Sequence, residues 1–219
     1  EFPTELLQVC GDSFAGQGIG FGGWQTPLSA PDAETQKKGV EGMEKALRCA
    51  NAMGVDTVLL VPAIVTETVR YAEAYERSQQ NVRKLLPLAE KMKVVIAIEN
   101  VWNKFLLSPV EFARYIDDFN SPWVRAYFDI GNVIIHGFSQ DWIRTLGRRI
   151  VKLDVKDFKR KGYEWKNLRE GDVNWPEVVK ALDETGYKGW MTCEMSGGDE
   201  AYLGDVAKRM DWIIAGAKA

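Results

Sequence analysis

The run Val94-Val95-Ile96-Ala97-Ile98-Glu99-Asn100 is apolar and β-branched until it ends abruptly in a carboxylate and an amide. A parallel strand buried on both faces reads this way, polar only where its C-terminal end emerges. The same pattern recurs along the chain. Val124 to Phe128 runs into Asp129, with Gly131 and Asn132 following. Ile150 to Leu153 runs into Asp154, with Lys156 and Asp157 just beyond, and Trp190 to Cys193 runs into Glu194. In a parallel β/α sheet or barrel such strand ends share one face, so Glu99, Asp129, Asp154 and Glu194 are expected to converge. Bare carboxylates repel one another, and a divalent cation relieves that repulsion. The pattern therefore predicts a metal-dependent active site.

Working outward, strands and helices alternate strictly. Leu6 to Cys10 reads as a short strand followed by a glycine-rich loop without the spacing of a phosphate-binding fingerprint. A helix is expected from Asp32 to Met53, stopped by Gly54, then a buried strand from Asp56 to Val61. A long helix from Thr66 to Met92 carries Pro87, expected to kink it or split off its last turn. Ser108, Pro109 and Glu111 read as N-cap, first-turn proline and first-turn acid of the next helix. Gln140 to Leu146, Pro176 to Thr185 and Glu200 to Ile214 read as helices, and the polar span Lys159 to Asp172 as a long loop. The expected fold is an α/β (β/α)₈ TIM barrel, one domain over residues 1–219. About six strand–helix units are legible where a closed barrel needs eight, so the first two units are expected to be absent. The apolar strand edge that their absence would leave predicts a chain that is unstable or prone to associate with copies of itself. An open doubly wound sheet is the alternative.

Composition narrows the function. The chain has 219 residues, 46% of them hydrophobic and 27% charged, with a net charge of −3. Nothing basic suggests a nucleic-acid partner, and no apolar run is long enough to span a bilayer. The scattered Cys10, Cys49 and Cys193 disfavour a disulfide framework and point to a reducing compartment. A cytoplasmic location is expected, with no signal peptide visible in a chain that opens on Glu1.

Several segments together carry a family likeness. Ile98-Glu99-Asn100-Val101-Trp102, Ser108-Pro109, Tyr127-Phe128-Asp129-Ile130-Gly131-Asn132, Val155-Lys156-Asp157-Phe158, Gly171-Asp172-Val173-Asn174-Trp175 and Gly186-Tyr187-Lys188-Gly189-Trp190 resemble, in order and spacing, the xylose isomerase-like TIM-barrel superfamily. The closest branch is that of the sugar or sugar-phosphate isomerases and epimerases. The resemblance implies one divalent metal, Mn²⁺ first with Mg²⁺ or Co²⁺ as alternatives. It places the ligands on Glu99, Asp129, Asp154 and Glu194, and proton transfer on Glu99 and Glu194. Asp154 departs from the family, which usually carries histidine there. A carboxylate would shift the site toward Mg²⁺ or Mn²⁺, or mark a weakened site. Lys156, two residues on and on the same strand face, is the expected local cation.

Individually these residues have plainer readings. A lone strand-end acid is more often a helix cap than a ligand, and four in register reverse that preference. Asn100 and Asn132 are expected to orient carboxylates or bind substrate hydroxyls, with turn formation equally open for Asn132. Arg160, beside Lys159, is a candidate grip for a substrate phosphate, against the plainer reading of a solvated basic run. Trp24, Trp102 and Phe105 could stack on a sugar, although aromatic residues are more often core. His136, the one histidine, reads as a loop residue, and Cys193 as a buried thiol on the strand face opposite Glu194. The expected activity is a divalent-metal-dependent sugar or sugar-phosphate isomerase or epimerase. Alternatives are a dehydratase of a polyol-derived ketone on the same fold and a non-catalytic sugar-binding barrel. A multi-zinc endonuclease is excluded by the single histidine.

Overall fold

The computed structural model describes residues 25–217. The expected strand at Leu6 to Cys10, the glycine-rich loop and Trp24 lie outside the described residues. The chain forms two compact units, one of Glu1–Leu107 with Arg114–Ala126 and the other of Ser108–Ala113 with Tyr127–Ala219.

In the first unit, helix α1 (Ala33–Ala52) opens on Asp32, whose carboxylate accepts the Thr35 N–H at 2.8 Å. That bond satisfies one of the donors every helix start leaves orphaned. Strand β1 (Thr57–Leu60) pairs in parallel with β2 (Val95–Glu99), Thr57 opposite Val95 through Leu60 opposite Ile98. Helix α2 (Tyr71–Met92) links them. It begins later than the sequence suggests because Thr66 to Arg70 form a turn closed by Thr66. Nor does Pro87 split it, since its buried face continues on both sides, at Leu85 and Ala89. Proline forfeits one backbone bond in a helix interior, and here tertiary burial outweighs the loss. Ile96 donates its N–H to Trp123 at 2.8 Å, so β2 hands on to the opening of β3 (Val124–Asp129). Phe105, Tyr115 and Phe119 fill the core beside α2, with Tyr115 edge-on to Phe105 and its hydroxyl bonded to Ser78.

The second unit takes up β3 at Tyr127. Ile130 donates to the Asp154 carbonyl at 3.0 Å, seating the strand's end beside β4 (Ile150–Val155). Strand β4 pairs in parallel with β7 (Trp190–Cys193), Asp154 opposite Thr192 and Val155 opposite Cys193. Strand order is therefore β1-β2-β3 in the first unit and β3-β4-β7 in the second. Helix α3 (Pro109–Asp117) starts in the second unit, where Ser108 Oγ accepts the Glu111 N–H as expected of an N-cap. Helices α4 (Ser139–Leu146) and α5 (Trp175–Thr185) are tied by Arg144, which pairs with Glu177 at 3.2 Å and Glu184 at 2.6 Å. Helix α6 (Glu200–Ile214) closes the described chain, capped by Asp199.

The span expected to be a long loop contains a hairpin. Strands β5 (Asp157–Lys159) and β6 (Glu164–Lys166) pair antiparallel, with Phe158 opposite Trp165. Its short, charge-rich strands carry no apolar alternation that sequence could show. The turn is set by Gly162 and Tyr163, both at positive φ. Among the described residues no helix is long and apolar enough to cross a membrane.

Candidate active site

Strand alternation puts Lys152 and Asp154 on one face of β4, and Lys156 continues that face just past the strand. Asp129 ends β3 with no exposure, and Asp154 is 6% exposed. Glu194 follows β7 directly, its backbone fixed by an N–H bond to the Val155 carbonyl at 3.1 Å. Each of these three acids offers a carboxylate oxygen within 4.8 Å of the others. Lys156 stands among them, its ammonium 2.8 Å from Asp129 Oδ2 and 2.6 Å from Glu194 Oε2. Gly131 makes room for it: a Cβ there would meet Lys156 Cγ at 2.6 Å and the Lys156 carbonyl at 2.8 Å. Asp129 Oδ1 accepts the Asn132 N–H at 2.7 Å, so Asn132 orients this carboxylate through its backbone.

The electrostatics follow from burial. Burial pushes the Asp154 carboxyl well above its ordinary range, and the Asp129 and Glu194 charges push it further. Lys156 and the Tyr127 hydroxyl oppose that rise without cancelling it. Burial likewise raises Asp129 against the pull of Lys156, and Glu194 adds to the rise. For Lys156 burial works downward, but the Asp129 and Glu194 carboxylates outweigh it and hold the ammonium charged. One lysine thus leaves this cluster short of positive charge. The donors are carboxylate oxygens only, the chemistry that suits a hard divalent ion.

Residues 7–215 match the family described as xylose isomerase-like TIM barrel. The chain belongs to that family. Among curated relatives, the L-ribulose-5-phosphate 3-epimerase UlaE of Escherichia coli O1:K1 / APEC is 28% identical over 192 residues, 86% of this chain and 67% of that protein. Among solved structures, a D-tagatose 3-epimerase-like protein superposes with a TM-score of 0.74 at 19% identity, covering 87% of this chain and 75% of the other. The D-psicose 3-epimerase of Clostridium cellulolyticum H10, solved with D-tagatose, gives 0.74 at 20% identity, covering 89% and 76%.

The remaining residues expected in this xylose isomerase-like site divide by location. Glu99 and Asn100 belong to the first unit, 7% and 3% exposed at the end of β2. Trp102 is half-buried in the loop that follows, which Asn103 fastens by donating to the Ala63 carbonyl at 2.7 Å. Arg160 has engaged its guanidinium with backbone, donating to Ile134 at 2.6 Å and Gly137 at 2.7 Å, and lies over the Phe138 ring. His136 sits edge-on to Trp142, where burial lowers its pKa. Cys193 is half-buried, and burial followed by the Asp154 and Glu194 charges pushes its thiol up to about 11.

Sequence reasoning gave two residues no role. Lys152 is 3% exposed on the Asp154 face of β4, inside a run that reads as apolar. Asp157 is fully buried and gathers the segment beyond the hairpin. Its Oδ1 accepts the Phe158 and Val173 N–H groups at 2.9 and 3.2 Å. Its Oδ2 accepts the Arg169 N–H and the Trp175 indole N–H at 2.9 and 3.1 Å. Gly171 and Trp175, both within a motif quoted above, were the available signal.

Proposed function

We propose that the chain is a divalent-metal-dependent sugar or sugar-phosphate epimerase working by proton abstraction beside a carbonyl. The convergence of Asp129, Asp154 and Glu194 around Lys156 carries this reading. Glu99, at the end of the strand before β3, is the fourth acid that the family resemblance assigns to the set. Asp129, Asp154, Glu194 and Glu99 would hold the cation, which when bound supplies a Lewis acid for the carbonyl and hydroxyl oxygens of the substrate. Relatives named as epimerases of ketoses and of a ketose phosphate support that substrate class.

The chain's own groups supply the rest. Glu194 is half-exposed, so its carboxylate can reach a substrate carbon as the base, and it is held in place by the Lys156 ammonium at 2.6 Å. Glu99, buried and on a different strand, delivers a proton to the opposite face of the planar enediolate, which inverts the carbon. Asn132 keeps Asp129 aimed inward. The Tyr127 hydroxyl, donating to Thr192 at 3.3 Å, holds the face between β3 and β7 in register beside Asp154.

The test is conversion of free ketoses and ketose phosphates in heavy water with Mn²⁺, Mg²⁺ or Co²⁺ supplied. Deuterium should enter at the inverted carbon of the product. Glu99→Gln and Glu194→Gln keep the shape but cannot take a proton at neutral pH, and each should lower turnover ~10²–10⁴-fold. Near-normal turnover in both variants would overturn the two-glutamate assignment.

A further inference from the structure

A cavity of about 320 Å³ is lined by Arg169, Asp205, Lys208 and Arg209, all within the second unit. The carboxylates near it are already engaged. Asp205 Oδ2 accepts from Arg209 Nε at 2.7 Å and from Asn167 Nδ2 at 2.9 Å, and Glu170 pairs with Arg209 at 2.9 Å. Arg209 also donates to the Leu168 carbonyl at 2.6 Å, so its guanidinium is fixed at three points and largely neutralised. Arg169 and Lys208 form no ion pair with a carboxylate among the described residues, and both are exposed. Three cations against two carboxylates leave a net charge of about +1 there, and Arg169 and Lys208 are the cations among them that no carboxylate of the described residues pairs.

One of the two is held in place. The Arg169 backbone sits at φ 74° and its N–H is bonded to the buried Asp157 carboxylate at 2.9 Å. Its guanidinium lies 4.1 Å from the centroid of the Trp212 ring on α6. A guanidinium stacked on an aromatic face keeps its N–H edge available in plane, the geometry that grips an oxyanion through two parallel bonds. Lys208 adds a mobile point charge from the same helix. A monocarboxylate needs one such partner, whereas a dianion with three terminal oxygens uses both.

We propose that this cavity binds a phosphate monoester, the phosphate end of a phosphorylated sugar. The Arg169 N–H bond to Asp157 ties the segment that carries this arginine to the residue after Lys156. The assignment to the substrate's own phosphate rests on the epimerase reading; the anion site itself does not.

Calorimetric titration of the full chain with inorganic phosphate tests the site, and steady-state kinetics on a ketose phosphate and its unphosphorylated ketose test the source. Arg169→Gln and Lys208→Gln should each weaken phosphate binding tenfold or more. Each should raise KM for the phosphorylated ketose by a similar factor, leaving kcat and the KM of the free ketose nearly unchanged. Lys208 is exposed on α6, so its variant carries the test if loss of the Trp212 contact unfolds Arg169→Gln. Absent phosphate binding in the unaltered chain, or unchanged binding in both variants, overturns the site. Weakened phosphate binding with an unchanged KM ratio overturns the substrate assignment and leaves free phosphate as the ligand. Normal phosphate binding with no epimerisation of any ketose would count against the proposed function and not against the site.

Discussion

Asp154 and Asp157 lie three residues apart, both are buried, and their surroundings are opposite. Asp157 collects four N–H donors from Phe158, Arg169, Val173 and Trp175. Asp154 faces two further acids, and the Lys156 ammonium lies on those two at 2.8 and 2.6 Å. Burial raises both carboxyls, yet around Asp157 every other contribution pulls back down, whereas around Asp154 the neighbouring charges reinforce the rise. A buried acid surrounded by donors is a structural anchor. A buried acid surrounded by acids is unfavourable unless a cation joins it, and such an arrangement persists where function requires it. The distinction lies in the donor inventory and not in burial.

Replacing each residue should break this pair in different ways. Asp157→Ala strips the acceptor from four buried donors, each costly to leave unmade, and should destabilise the chain by about 3–4 kcal/mol in urea unfolding. Loss of less than ~1 kcal/mol would show that water or a rearranged segment replaces the anchor. Asp154→Asn removes a charge the fold does not need, so its unfolding midpoint should stay level or rise. Its Mn²⁺ affinity should fall at least ~10–100-fold, the scale seen when even the partners of metal ligands are lost. Unchanged affinity would remove Asp154 from the ligand set.

The two glycines that flank these acids sharpen the contrast at smaller amplitude. A Cβ on Gly171 would come within 2.0 Å of Asp157 Oδ1 and 2.7 Å of the Phe158 nitrogen. Gly171→Ala should therefore cost about 1–3 kcal/mol of stability by forcing the anchored loop outward. A Cβ on Gly131 presses instead on Lys156, at its Cγ and its carbonyl. Gly131→Ala should act mainly through the displaced ammonium, lowering turnover more than its loss of stability explains. Equal stability losses with normal turnover in Gly131→Ala would mean that Lys156 is only a space-filling cation.

Much of this site is legible from the chain alone, for a physical reason. An apolar β-branched run ending in an acid has few alternatives to a buried parallel strand, so Glu99, Asp129, Asp154 and Glu194 announce their positions locally. The hairpin at Asp157–Lys166 does not, because three-residue strands of mixed charge are defined by their partner and by the Gly162 turn. Arg160 shows the same limit. Its type suits a phosphate grip, but its guanidinium is bonded to the Ile134 and Gly137 carbonyls of a turn more than twenty residues away. Asp157 sits in a motif that marks it as notable, yet its four donors come from positions up to 18 residues distant. Sequence reveals which strand ends carry acids; only tertiary structure reveals which acids have been paid in hydrogen bonds.

The smallest effect is expected at Cys193, which lies in register opposite Val155 and reports on the acid cluster without belonging to it. Burial, then the Asp154 and Glu194 charges, push its thiol up to about 11, because a thiolate there would face further negative charge. Alkylation proceeds through the thiolate, so its rate against pH traces that ionisation. Asp154→Asn removes one of the two opposing charges, and the Cys193 profile should move to lower pH with a rate gain of roughly two- to tenfold at pH 9. Asp157→Asn should leave the profile in place, since Asp157 is not among the charges acting on this thiol. Peptide-resolved mass spectrometry separates Cys193 from Cys49 on α1 and from Cys10. A profile that moves equally in both variants would mean that the fold has loosened around β7, and the electrostatic contrast between the two aspartates would lose this support. A profile unmoved by Asp154→Asn would show that Asp154 is already protonated over that range, with its proton shared inside the cluster.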